Sequence, residues 1–223
     1  LALWRQSQAS ADPRAALVAA VGERRFFEAR LTGGFKFGER ISPTRGATAP
    51  VTPSTVPGEP GPRGSVGRGA EDWEVLAAAA KIRNEIGVPR NARERQTLAA
   101  AHFVLGELDE AVQLLERAVS ETETPGVGDA RFFSDLAAAY LTRAAAEGRS
   151  EDYPRALEQA SRAAELDPRL PEALYNRALA LEALSLSEQA RASWDAYLKV
   201  ETDDGWRMEA QRRIGLLARP ARD

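Results

Sequence analysis

The sequence has no cysteine, one histidine and one methionine, and each shortage removes a class of chemistry. Without cysteine there is no disulfide, thiolate zinc ligand or thiol nucleophile within the chain. The lone histidine, His102, has no second histidine or cysteine with which to share a metal or relay a proton. It falls between Leu98 and Leu105 on the inward stripe of a helical stretch, where a packed side chain is expected. An excess of positive charge is missing too: 30 lysines and arginines stand interspersed against 33 acids, for a net charge of −3. No basic field exists to condense on a nucleic acid backbone, so nucleic acid is not expected as a partner. No catalytic residue, metal ligand or cofactor is expected; acid pairs such as Glu151-Asp152 and Asp203-Asp204 sit at turns, where solvated caps are the ordinary reading.

What is present is alanine, leucine and charge, with β-branched residues sparse beyond the first 60 positions, a composition suited to packed helices. The stretch from Pro171 to Thr202 reads as two amphipathic helices. Leu174, Ala178 and Leu181 mark the first, and Ala190, Trp194 and Tyr197 the second, on either side of Ser185-Leu186-Ser187. The short break makes them antiparallel neighbours. Earlier stretches repeat the pattern. First helices carry Ala99, Ala137 and Ala178 at their centres, and second helices carry Ala111, Ala156 and Ala190, spaced by 45 and 34 residues. Where backbones cross closely only a small side chain fits.

In chain order, 1–41 is expected to hold a short helix opened by Asp12-Pro13, then a β-hairpin from Arg25–Leu31 and Phe35–Ile41 about the Gly33-Gly34 turn. No Gly-Lys-Ser/Thr follows those glycines, so a phosphate loop is disfavoured. Residues 42–70, rich in proline and glycine and free of aromatics, read as a linker. Residues 71–86 form a leading cap helix, with Trp73, Leu76 and Ala80 beside a parallel row of Val75, Ala79, Ile82 and Ile86. Helix pairs follow near 92–124, 130–169 and 171–202, and 205–218 is a terminal cap helix with Arg207, Arg212 and Arg213 opposite its apolar stripe. The second pair carries seven extra residues around Ala146–Asp152, read as a loop between its helices. Leu1-Ala2-Leu3-Trp4-Arg5 reads as a frayed terminus sooner than the tail of a membrane helix.

The 34-residue spacing with shared small positions resembles the tetratricopeptide repeat family. The blocks LVAAVGERRFFEARLTGGFKFG, WEVLAAAAKI, DLAAAYLTRA, LPEALYNRALALEALSLSEQARASWDAYLKVE and GWRMEAQRRI, in that order, resemble the repeat region of bacterial proteins carrying a caspase-like CHAT peptidase domain. The resemblance implies an all-α solenoid of three helix hairpins with capping helices, preceded by the small helix and β-hairpin appendage. It also implies a bacterial protein, cytoplasmic or membrane-anchored, with a peptidase C-terminal to Asp223 and room for a membrane helix upstream of Leu1. No catalytic residue carries over to this chain.

In that family first helices line the concave face. The positions this implies are Arg93, Gln96 and Phe103 on the first repeat, Arg131, Ser134 and Leu141 on the second, and Tyr175, Leu179 and Glu182 on the third. They would bind a protein or peptide, or the chain's own C-terminal domain. The two-carboxylate clamp of chaperone-binding repeats is not matched, since its positions hold Gln96 and Ala100, Ser134 and Ala138, Tyr175 and Leu179.

Overall fold

The structure, a computed structural model, describes residues 12–38, 66–122 and 129–218, with side chains omitted over 66–72. Most of the linker expected over 42–70 lies outside the described residues. Its last five positions do not: the chain is helical from Val66. The described elements are α1 (Pro13–Val21), α2 (Val66–Ile86), α3 (Ala92–Leu105), α4 (Leu108–Thr122), α5 (Ala130–Glu147), α6 (Asp152–Leu166), α7 (Pro171–Ala183), α8 (Ser187–Leu198) and α9 (Asp204–Leu217). No strand forms among the described residues, and no described helix is long and apolar enough to cross a membrane.

Helix ends follow local chemistry. Asp12, Asn91, Asp129 and Asp203 cap α1, α3, α5 and α9, each side-chain oxygen accepting a backbone N–H of the first turn, which satisfies donors that have no partner inside a helix. α3 stops at Gly106 and α5 at Gly148, both left-handed. The corresponding turn after α7 uses Ser185 at φ 59° instead, a conformation that costs any residue with a Cβ.

Each helix packs on the next from α3 to α9; α3 and α7 also touch α5, and α2 covers the outer side of α3. The alanines expected at close crossings, Ala99, Ala111, Ala137, Ala156, Ala178 and Ala190, are all fully buried, as is Trp194. On α2 only one of the two apolar rows is used. Val75, Ala79 and Ile82 are buried, whereas Trp73 is 69% and Leu76 39% exposed.

The extra residues are shared between helix and turn: α5 is lengthened to 18 residues, and 148–151 form the turn that leads into α6. That extension brings Arg143 against Asp152, with Nε donating to Oδ2 at 2.7 Å and Nη2 to Oδ1 at 2.9 Å, while Nη1 reaches Asp109 at 2.8 Å. Asp152 is buried and ion-paired rather than a solvated cap, because a bidentate guanidinium offsets its desolvation.

Candidate functional site

Of the β-hairpin expected from Arg25–Leu31 and Phe35–Ile41, residues 39–41 lie outside the described residues, and residues 22–38 carry an isolated bridge at Arg25 and no strand. The glycine turn exists, with Gly33 at φ 101° and Gly34 at φ 89°. The flanks do converge: a Cβ on Gly38 would lie 1.5 Å from the carbonyl oxygen of Glu23. Among the described residues the bridge at Arg25 does not extend into a ladder, and the Arg30 and Thr32 N–H groups are bonded to Asn176 and Asp135 instead. The segment is a compact loop with close ends, laid across α3, α5, α7 and α9.

Three side chains hold its main chain; one is Arg14 of α1, which donates to the Thr32 carbonyl at 2.6 Å. Asn176 on α7 accepts from the Arg30 N–H at 2.9 Å and donates to the Arg30 carbonyl at 2.8 Å, with a further contact to the Ser134 carbonyl at 3.2 Å. Asp135 on α5 accepts from the Thr32 N–H at 2.6 Å, from Arg14 at 2.7 Å and from Gln96 at 2.8 Å. Asn176 and Asp135 are buried, so each of their bonds forms away from competing water.

Two arginines of the segment enter sockets. Arg25 donates to the Tyr175 hydroxyl at 2.7 Å and lies 4.7 Å above the Trp206 ring. Arg30 donates to the Tyr197 hydroxyl at 2.7 Å and to Glu201, and lies 4.2 Å from the Trp206 ring centre. Tyr175 meets Trp194, Tyr197 and Trp206 edge-on at 4.9, 5.4 and 5.2 Å, the arrangement aromatic quadrupoles favour. Phe37 closes on Trp206 and Phe27 on Phe103 in the same manner.

The electrostatics follow from burial and these partners. Burial works against the Arg30 charge, but Tyr197, Glu172 and Glu201 outweigh it and the pKa rises. Burial would likewise raise Glu201; the Asp203 N–H and Arg30 overcome it, and the carboxyl is held below its ordinary range. At Glu172 desolvation outweighs the attraction of Arg30, and the carboxyl is pushed up. Tyr175 and Tyr197 are raised by burial, so both hydroxyls stay protonated.

The sequence-derived positions divide into three groups. Gln96, Phe103, Ser134 and Tyr175 lie beneath the segment and are buried by it or beside it. Leu141, Leu179 and Glu182 line a cleft of 570 Å³ that stays open beside Phe26 and Phe27. Arg93 and Arg131 are exposed; Arg93 borders a separate hollow near Asp12, and Arg131 is paired with its own N-cap, Asp129. Arg213, expected on the solvent side of α9, is 8% exposed and bonded to Glu182, Glu209 and Glu28. His102 is half-buried, its Nδ1 2.5 Å from Glu107.

Asp135 and Asn176, which do most to hold the segment, were not among the expected site residues. A signal for them exists. Each stands two places before the central alanine of its helix, as Thr97 does in α3, and all three are buried. A polar column on an otherwise apolar inner face marks backbone groups to be satisfied. No protein-family model and no curated protein matches this chain.

Proposed function

We propose that the chain is a tetratricopeptide-type solenoid whose concave face, carried by α3, α5, α7 and α9, binds a protein or peptide, and that this chain is non-catalytic. One observation carries the reading: Asn176 and Asp135 bond the main chain of a non-helical stretch of polypeptide. Side chains of a rigid scaffold that pair with peptide N–H and C=O groups, beside pockets for side chains, are what peptide recognition requires. The occupied half of the face is matched by an open one, where Leu141, Leu179 and Glu182 line the cleft.

The test is selection of peptides from a random library on the full chain, followed by affinity measurement against Leu179→Glu and Leu141→Glu variants with unchanged helix content. Selected peptides should bind the variants at least tenfold more weakly. Equal affinity would move binding off this face.

A second reading, the regulatory half of a CHAT-type peptidase docked on its own array, is favoured by the fact that the bound stretch belongs to the same chain. A downstream domain with a histidine and cysteine pair in the parent gene supports it; a stop codon after Asp223 removes it.

A further inference from the structure

Resting on that peptide-binding reading, we infer that the face is built for a peptide carrying two arginines five residues apart, and that the chain's own residues 12–38 are its resident, exchangeable occupant. Two buried acids of the face, Asp135 and Glu201, are met by no cation of α2 to α9 among the described residues. Asp135 is 1% exposed and Glu201 6%, and among the described residues the cation that meets each comes from the segment: Arg14 on Asp135 and Arg30 on Glu201. Glu172 is buried in the same place, with Arg30 as its opposing charge. Emptied of the segment, the face would hold uncompensated carboxylates beside a wall of aromatic rings. A buried charge without a partner is strongly unfavourable, so any ligand that takes the segment's place has to bring cations. Arg25 and Arg30 place their guanidinium carbons 4.7 and 4.2 Å from the Trp206 ring centre, contacts that favour guanidinium over ammonium.

The contacts also separate recognition from chain continuity. The main-chain bonds that Asn176 and Asp135 make to the segment go to Arg30 and Thr32, and these would form equally with a peptide that is not covalently attached. Gly33 is needed within it, because a Cβ there would lie 2.8 Å from Arg14 Nε. α1 packs on α2 and α3 with Leu17 and Val21 buried, while the covalent link from the piece to α2 runs through residues 39–65, so cleavage within that stretch would convert a tethered ligand into one held by non-covalent contacts alone.

The experiment uses the full chain with a protease site inserted after Thr48, cleaved once folded. A fluorescent synthetic peptide of residues 12–38 is then added, and incorporation is followed by anisotropy and native mass. The labelled peptide should replace the resident piece one for one. A competitor with Arg25→Ala and Arg30→Ala should act about 100-fold more weakly or worse, and a Lys36→Ala competitor as well as the parent, since Lys36 is exposed. Retention without exchange, or loss of helix signal when the piece leaves, would make 12–38 a fixed part of the core and overturn the inference; so would equal competition by the double-alanine peptide. If library peptides still bind the uncleaved chain at Leu141 and Leu179, the peptide-binding reading survives that failure.

Discussion

The guanidinium carbon of Arg30 lies 4.2 Å from the centre of the Trp206 ring, tying a residue near the start of the chain to the first turn of α9. Trp206 is 4% exposed and is shared by Arg25, Phe37 and Tyr175. Its loss therefore removes a wall common to four side chains. Trp206→Ala should lower stability by about 3 to 5 kcal/mol in urea unfolding, and Trp206→Phe by clearly less. A midpoint for the alanine variant equal to the parent's would contradict this packing.

Asn176→Ala leaves the Arg30 N–H and carbonyl without their partner in a buried place. The expected cost is about 2 to 4 kcal/mol. Hydrogen exchange at the Arg30 amide should accelerate together with it; slow exchange there would mean the bond matters little.

Acid should loosen the segment. Glu201 and Glu209 both have depressed carboxyl pKa values in the folded chain, and both face its arginines. Their stabilisation is fully present above the unfolded value of about 4.3 and is lost as pH falls through the lowered folded values. Tryptophan emission should report release in that range, and Glu201→Gln should flatten the acid limb. An acid limb of unchanged steepness in that variant would assign it to other groups.

Glu172 has the opposite sign. Its folded pKa is raised by burial, so the charged form at neutral pH weakens the fold, and the penalty is relieved as pH falls through the raised value. Glu172→Gln should raise Tm at neutral pH, with the gain shrinking on acidification. A lower Tm would show that its attraction to Arg30 outweighs desolvation.

Ser185 holds a left-handed backbone at an exposed turn. Ser185→Gly relieves that strain but enlarges the freedom of the unfolded chain, for a net gain of up to about 1 kcal/mol. Thermal unfolding of the two proteins decides it.

Much of the helical framework is readable from spacing, because α4, α6 and α8 bury one face and alanine stands where the backbones cross. The fate of 25–38 is not readable in the same way. An extended chain puts successive side chains on alternate sides whether its backbone pairs with a strand or with side chains of helices, so Phe26, Phe27, Phe35 and Phe37 look like a hairpin in either case. The partners that decide the matter, Asn176 and Asp135, stand 146 and 103 residues from the backbone groups they bond. Arg213 misleads for a related reason: alone it belongs to a solvated face, and only three acids from separate elements make its burial favourable. On α2, Trp73 and Val75 both fit an apolar stripe, and it is the position of α3 that selects Val75.

The docking of 22–38 also sets an order of events during synthesis. Arg25 and Arg30 leave the ribosome long before Tyr197, Glu201 and Trp206 exist. At about 5 to 20 residues per second the interval is on the order of ten seconds or more. During it Arg25, Arg30 and Phe37 lack the Trp206 wall on which they pack in the finished fold. The stretch 22–38 is made before the helix that completes its binding face, so a nascent chain halted before α9 would display an aromatic, arginine-rich segment that the finished molecule conceals.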